Sequence, residues 1–361
     1  MRIFLLIVAI LLLVASAAAG YLWYSLQKPF GPVPPEGIFV EIPHGSSQRA
    51  AAHILAQNGV LRSSLAFELY ARRHPKRSLQ AGEYFFDHPL TAKEVFWKLA
   101  NGEVYEQLFT VREGDTIFDI ANNLEAAKYM HAADFLAAAS DAAQIQDIAP
   151  GAKTLEGFLF PATYNLPHRF TAAALTSVMV RKFRDALQQI APDRLEPLTP
   201  GTPLLSIVTL ASLVEAETPK PDERSLVAGV YTNRLHKEML LQCDPTVIYA
   251  LKKVDKYNPP LTFKDLRYDS PYNTYVHSGL PPGPIGNPGE GSLKSALNPA
   301  PTDFLYFVSN TQGGHFFAST LAEHNKNVAK YHRLLNGEPA DPPVVEVHQT
   351  HSVSHAHKGK R

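Results

Sequence analysis

This chain of 361 residues has only one cysteine, Cys243, and its formal net charge at neutral pH is zero. A single cysteine excludes an intrachain disulfide, so cysteine usage does not distinguish an oxidising compartment from a reducing one. Without an excess of basic residues, no positive field favours binding to nucleic acid. The length predicts two to three domains, each with enough chain to bury a sizeable core.

Charge is missing altogether from residues 3–24, which are mostly Leu, Ile, Val and Ala. A helix of this length, at about 1.5 Å per residue, spans a hydrocarbon core of roughly 30 Å. Arg2 precedes the segment, and Trp23 and Tyr24 stand where an interfacial aromatic belt would lie. We predict a membrane anchor over residues 1–25, with the remaining chain outside the cytoplasm. Small-residue sites at 15–19 leave a cleaved signal peptide as the alternative.

The composition after the anchor divides the chain further. Residues 26–36 are rich in proline and are predicted to form a stiff linker. Residues 37–150 form a first folded region, residues 151–337 a second, and residues 338–361 a polar tail. The tail carries four histidines (His348, His351, His355 and His357), a composition that allows metal binding, but it is polar and rich in proline, with no apolar pattern to anchor it. We therefore expect the tail to be disordered.

The first folded region contains an internal repeat. An alternating strand at residues 39–42 leads through Gly45 and Ser47 into a helix that carries Leu55. The same pattern returns 69 residues later, with Gly114, Thr116 and Leu124 at the matching positions. These strand-turn-helix units resemble LysM-like modules, which bind glycan chains. The alternative is a pair of small α+β packing units without affinity for a ligand.

An apolar segment that ends in acidic residues is the strongest chemical signal. Residues 203–218 are predicted to form a helix that Pro219 terminates, with Leu213, Val214 and Glu217 on one stripe. Apolar surroundings and the negative end of the helix dipole both favour a protonated carboxyl. Glu217 is therefore a candidate proton donor. Glu215 lies about 200° around the helix, so the two side chains cannot share a face.

Several motifs stand before and after this helix in a fixed order. Upstream of it is Leu155-Glu156-Gly157-Phe158-Leu159-Phe160-Pro161-Ala162-Thr163-Tyr164. Downstream are Tyr231-Thr232-Asn233-Arg234-Leu235, Leu241-Gln242-Cys243-Asp244-Pro245, Ser270-Pro271-Tyr272-Asn273-Thr274-Tyr275, Gly279-Leu280-Pro281-Pro282-Gly283-Pro284, Asn298-Pro299, Leu305-Tyr306-Phe307-Val308 and His324-Asn325. The ordered series resembles the YceG-like family of endolytic murein transglycosylases over roughly residues 37–335. Cys243 departs from the pattern, since a small hydroxyl residue is expected there, but cysteine is a small, nearly apolar replacement.

The resemblance implies an α+β chain with a transmembrane helix, LysM-like units and a mixed α+β catalytic domain. It implies a lytic transglycosylase of the inner membrane that cleaves peptidoglycan on the periplasmic side, with no cofactor or metal, and with membrane-bound peptidoglycan synthases as possible partners. Glu217 is the expected acid and base, with Glu215 as the fallback. The candidates for sugar binding are Gln242, Asp244, Tyr272, Asn273, Thr274 and Tyr275.

Alternative roles stay open for several of these residues. Asn273 has the most suitable side chain because an amide both donates and accepts, yet it also suits the capping of a loop. Asp244 precedes a proline and also suits a turn or a helix cap. Arg234 can pair with Glu215 or reach substrate carboxylates. A non-catalytic glycan-binding scaffold and a lysozyme-type hydrolase are the alternative functions.

The catalytic region is predicted to combine helices with short strands. Helices are expected near residues 171–191, 203–218, 222–237, 292–297 and 319–335. Residues 305–308 are expected to pair with residues 316–317 as antiparallel strands across a glycine-containing turn.

Overall fold

The computed structural model describes residues 1–192 and 203–337. It is a mixed α+β structure, as predicted, and its described strands form three separate two-stranded antiparallel sheets. The chain divides into two compact units. Unit 1 comprises residues 1–110 and 163–171, and unit 2 comprises residues 111–162 together with the described residues after 171. The predicted tail at 338–361 lies outside the described residues.

Unit 1 begins with the apolar helix and continues as a β-α-α-β arrangement. Its helices are α1 (Arg2–Gln27), α2 (Gln48–Gln57), α3 (Ser64–Arg72) and α4 (Ala92–Asn101), and its strands are β1 (Ile38–Ile42), β2 (Gly82–Phe86), β3 (Leu108–Thr110) and β4 (Thr163–Asn165). Strand β1 pairs with β2, and β3 pairs with β4. Alternate residues of β1 and β2, such as Val40 and Tyr84, point into a core that helices α2 to α4 cover.

Helix α1 is the only described helix that is long and apolar enough to cross a membrane. Its 26 residues give a length of roughly 39 Å. Most of its side chains are exposed, but Ser25 is buried and Leu26 packs against the unit 1 core. The Arg62 guanidinium lies over the rings of Tyr24 and Phe30, at 4.9 and 4.8 Å. The start of the proline-rich segment is therefore held against unit 1.

Unit 2 is built around one helix that is buried on all sides. Its helices are α5 (Ile117–Ala126), α6 (Ala132–Ala139), α7 (Ala172–Ile190), α8 (Leu204–Glu217), α9 (Pro221–His236), α10 (Asp244–Lys252), α11 (Glu290–Leu297) and α12 (Leu321–Leu335), and its strands are β5 (Tyr306–Ser309) and β6 (His315–Ala318). Helices α9, α10 and α11 all pack on α8, and β5 pairs with β6. Every residue of α8 between Ile207 and Val214 is buried. The apolar stripe predicted from spacing is thus part of a helix without a solvent face.

The sequence pattern located the repeated elements correctly. Gly45 and Gly114 have φ angles of +79° and +82°, a conformation that glycine adopts without strain. Ser47 and Thr116 cap the N-termini of α2 and α5 through their hydroxyl groups. The helices predicted after residue 170 agree with α7, α8, α9, α11 and α12, and the strand pair agrees with β5 and β6. Helix α10 was not predicted.

Candidate active site

Helix α8 delivers Glu217 as its last residue and then stops. Thr218 adopts an extended conformation, and Pro219 cannot continue the helix because it lacks a backbone N–H. The buried body of the helix fixes the position of this end. Opposite the middle of α8, Gly157 has φ +87°, and a Cβ there would lie 2.8 Å from Val208 Cγ1. The glycine of the Leu-Glu-Gly motif therefore allows its loop to approach α8 closely.

The Glu217 carboxyl is held by two neighbouring donors. The Tyr231 hydroxyl, on α9, donates a hydrogen bond of 2.7 Å to Glu217 Oε1. The Cys243 thiol forms a second side-chain hydrogen bond with the same carboxyl. Tyr231 and Cys243 are both buried, at 1% and 0% exposure, so neither donor can turn to solvent. These contacts orient the carboxyl at the end of α8 before any substrate binds.

Withdrawal from water raises the pKa of Glu217 above its ordinary value. The hydrogen bonds from Cys243 and Tyr231 oppose this effect because they stabilise the carboxylate. The negative charge of Asp244 raises the pKa further, whereas His315 lowers it. The net direction is upward, so Glu217 keeps its proton to higher pH than a solvated glutamate does. This is the property required of a general acid.

Glu215 has a different environment. Its carboxylate accepts a hydrogen bond of 2.8 Å from the Gly289 backbone N–H and forms an ion pair of 3.1 Å with Arg224. The side chains of Glu215 and Arg224 are only 6% and 12% exposed. Glu215 therefore links α8 to α9 and to the start of α11. Its partner is Arg224, whereas the sequence had suggested Arg234.

Glu217 opens into a cavity of about 430 Å³. The cavity contains three of the residues predicted to bind sugar, namely Gln242, Asp244 and Tyr275. Asp244 lies in the first turn of α10 and accepts a hydrogen bond of 2.5 Å from the Tyr275 hydroxyl. The other lining residues are Arg234, Leu241, Phe307, Val308, Ser309, His315, His324 and Val328. A carboxyl acid therefore lies among amide, carboxylate, phenol and imidazole groups.

The other three predicted residues lie beside the cavity wall and do not line it. Asn273 is fully buried and donates from Nδ2 to the carbonyl oxygens of Leu266 and Tyr268, while its Oδ1 accepts from the Tyr275 backbone N–H. The Asn273 amide therefore caps a loop, the alternative considered from the sequence. Thr274 is also buried and bonds to Thr246 and to the Cys243 backbone. Tyr272 is half-buried and packs on Tyr249.

The sequence did not single out Tyr231 or His315 as members of this site. Tyr231, the donor to Glu217, begins the Tyr-Thr-Asn-Arg-Leu motif, and its place in that motif was the only available signal. Arg234 donates to the carbonyl oxygens of Leu241 and Leu305, so much of its hydrogen-bonding capacity serves the cavity wall. His315 lines the cavity and pairs with Glu223 at 2.7 Å. The glycines before His315 were read only as a turn.

A larger cavity of about 830 Å³ lies elsewhere in unit 2, around Phe263 and Tyr268. Hydrogen bonds from Thr262 lower the pKa of the Asp265 carboxyl in this cavity. The smaller cavity, into which Glu217 opens, is therefore the better candidate for a site with a proton donor. Within residues 1–192 and 203–337, no group of three or more His, Cys, Asp or Glu side chains is placed to hold a metal ion.

A carboxyl of raised pKa at the end of a buried helix, open to a polar cavity, is an arrangement suited to acid catalysis. The YceG-like family model matches residues 40–330 of the chain. An endolytic murein transglycosylase from Bacillus subtilis is 34% identical over 322 residues, which cover 85% of this chain and 88% of the relative. The chain therefore belongs to the YceG-like family.

Two further comparisons agree with this membership. An endolytic murein transglycosylase from Streptococcus pneumoniae is 29% identical over 349 residues, which cover 87% of this chain but only 63% of that relative. The crystal structure of a YceG-like protein from Listeria monocytogenes matches with a TM-score of 0.51 and 33% identity. That match covers 81% of this chain and 98% of the other.

Proposed function

We propose that this protein is an endolytic murein lytic transglycosylase that cleaves the MurNAc-GlcNAc bond and leaves a 1,6-anhydro-MurNAc end. Membership of the YceG-like family and the transglycosylase activity named for two relatives support the reaction class. The observation that carries the proposal is Glu217, a carboxyl of raised pKa, opening into a cavity lined by groups that can hydrogen-bond to sugar. The substrate is peptidoglycan.

In the proposed reaction, Glu217 begins as a general acid. It gives its proton to the bridging oxygen, and the bond from MurNAc C1 to that oxygen breaks with its electron pair going to the oxygen. The C6 hydroxyl of the same sugar attacks C1 and loses its proton to a base. In the simplest form of the reaction, the Glu217 carboxylate is itself that base. No water is consumed, so a second carboxylate nucleophile is not needed.

Glu217 is the better assignment because Glu215 is already engaged. The Glu215 carboxylate is paired with Arg224 and accepts from the Gly289 N–H, and it does not line the cavity. Its two oxygens therefore serve contacts within the protein. We assign direct sugar contacts to Gln242, Asp244 and Tyr275 because they line the cavity. We assign Tyr272, Asn273 and Thr274 the task of holding the loop that carries Tyr275.

The location and the accessory region are also proposals. We infer that α1 is retained as a single-pass anchor in the inner membrane, with the catalytic residues in the periplasm, where the enzyme would terminate nascent glycan strands next to membrane-bound synthases. We further propose that the repeated units are LysM-like glycan-binding modules. Two observations support this: the order strand-helix-helix-strand occurs twice, and each copy has an antiparallel strand pair.

The decisive experiment is product analysis by mass spectrometry on purified murein with the full chain in detergent. Wild-type protein should release strands whose ends are one water lighter than reducing ends, and Glu217→Gln should release none. Glu290→Gln is the matched control, since this glutamate is half-exposed on α11 and does not line the cavity. Glu215→Gln should retain cleavage per folded molecule. Reducing ends in place of anhydro ends would indicate a hydrolase. An active Glu217→Gln variant would show that Glu217 is not the general acid.

A further inference from the structure

His315 is held in one orientation by a single carboxylate. Its backbone N–H donates to Glu223 Oε1 at 3.1 Å, and its Nδ1 lies 2.7 Å from Glu223 Oε2. The side chains of His315 and Glu223 are only 12% and 15% exposed. A Cβ at Gly314 would lie 2.3 Å from Glu223 Oε1. The glycine before the histidine therefore leaves the space that this carboxylate occupies.

The hydrogen bond to Glu223 assigns the tautomer of the imidazole. Because the carboxylate is an acceptor, Nδ1 carries a proton, so Nε2 is the nitrogen that can accept one. Nε2 forms no hydrogen bond with the described residues of the chain, and His315 lines the cavity into which Glu217 opens. Phe307 and Phe317 pack beside the ring, at 5.1 and 6.1 Å. The ring is thus fixed on three sides, with an acceptor nitrogen left for a ligand in the cavity.

We propose that His315 is a second catalytic residue, the base that removes the proton from the MurNAc C6 hydroxyl, and that Glu223 is its positioning residue. The inference rests on the proposed transglycosylase function. Glu217 protonates the leaving oxygen, the C1–oxygen bond breaks, O6 forms the new bond to C1, and the O6 proton passes to His315 Nε2. The imidazolium then returns a proton through solvent to the Glu217 carboxylate. The cycle closes without oxidation or loss of water.

The two side chains differ in the hydrogen bonds that already occupy them. After Glu217 has donated its proton, Tyr231 and Cys243 still donate to its carboxylate. His315 Nε2 has no hydrogen-bond partner among the described residues, so it can accept the O6 proton. The other charged or titratable groups that share the cavity, or approach the turn before His315, are Arg234 on α9, Asp244 on α10, Tyr275, His324 on α12, and Lys220.

The test measures kcat, KM and product ends for full-length His315→Gln on defined glycan strands. We expect kcat to fall by roughly 10²-fold, the usual contribution of a general base, with KM little changed. Without its base, O6 should attack more slowly, so water should capture part of the cleaved sugar and the ratio of reducing to anhydro ends should rise. Added imidazole should restore part of the activity of His315→Gly. Glu223→Gln should give a smaller loss in kcat. The exposed His332→Gln is the control.

The outcomes separate this inference from the proposed function. A kcat for His315→Gln within threefold of wild type would overturn it. So would a loss of activity with an unchanged product ratio and no rescue by imidazole, which would make His315 a structural residue. If Glu217→Gln is inactive while His315→Gln behaves in either of these ways, the role of His315 is refuted and the proposed function stands. If Glu217→Gln is active, the proposed function fails first.

Discussion

Glu156 should make unit 2 less stable as the pH rises. Its carboxyl is 2% exposed and accepts hydrogen bonds from the Ile117 N–H, at 3.1 and 3.2 Å, and from Asn287 Nδ2, at 3.2 Å. Burial raises the pKa of Glu156 from 4.5 to about 8, and the hydrogen bonds from Ile117 and Tyr249 only partly oppose it. The folded state therefore binds this proton more tightly than the unfolded state does.

The sign and size of the effect follow from this difference in proton affinity. The stability that Glu156 contributes in its protonated form is fully present below the unfolded pKa, near 4.5. This contribution is lost as the pH rises through the folded pKa, near 8. The full difference corresponds to at most about 5 kcal/mol, and relaxation around the charged form should reduce it to about 2 to 4 kcal/mol. Glu156→Gln removes the titration, so its stability relative to wild type should improve by that amount between pH 5 and pH 9.

The assay is urea unfolding of wild type and Glu156→Gln in detergent at several pH values from 5 to 9. Comparing the two proteins at each pH cancels any constant cost of the amide, because only the titrating term changes with pH. Glu290→Gln serves as the control, since its side chain is about half-exposed and should give a difference that is nearly independent of pH. A constant difference between Glu156→Gln and wild type from pH 5 to 9 would refute the reasoning.

Three further predictions concern the cavity and its loop. Tyr231→Phe removes a donor to the Glu217 carboxylate, so the alkaline limb of the pH–rate profile should move to higher pH. Asp244→Asn removes a negative charge that raises the pKa of Glu217, so the alkaline limb should move to lower pH. If the limb moved in the same direction in both variants, this explanation of the pKa of Glu217 would be contradicted. Asn273→Ala leaves two carbonyl oxygens and one N–H without a partner, so thermal melts should report a loss of about 1–3 kcal/mol. An unchanged melting temperature would mean that water replaces the amide.

Local signals made much of the architecture predictable. The repeat of 69 residues rests on a glycine turn followed by a hydroxyl cap, and both are interactions between residues close in the chain. Helix α12 likewise has a capping box, formed by Thr320 and Glu323. Such features fix where a helix begins whatever packs on it later. Helix α10 was missed because Cys243 and Asp244 give a weaker start signal: Cys243 makes no side-chain cap.

The candidate site was predictable only in part. The position of Glu217 at the end of an apolar helix follows from the sequence, because Pro219 must stop that helix. The roles of its neighbours do not follow. Gln242 and Asn273 have the same side-chain chemistry, yet Gln242 lines the cavity and Asn273 is used within its loop. Contacts with residues elsewhere in the chain decide which of the two amides lines the cavity.

The sequence by itself determined the apolar N-terminal helix, the repeat, the acidic end of α8 and the resemblance to the YceG-like family, because each depends on residue type at short spacing. Only the tertiary structure decided which glutamate faces the cavity. Arg224 and the Gly289 N–H bind the carboxylate of Glu215, whereas Tyr231 and Cys243 hold Glu217 beside a cavity that also contains His315. The burial that raises the pKa of Glu217 comes from several helices at once, and no single segment of sequence encodes it.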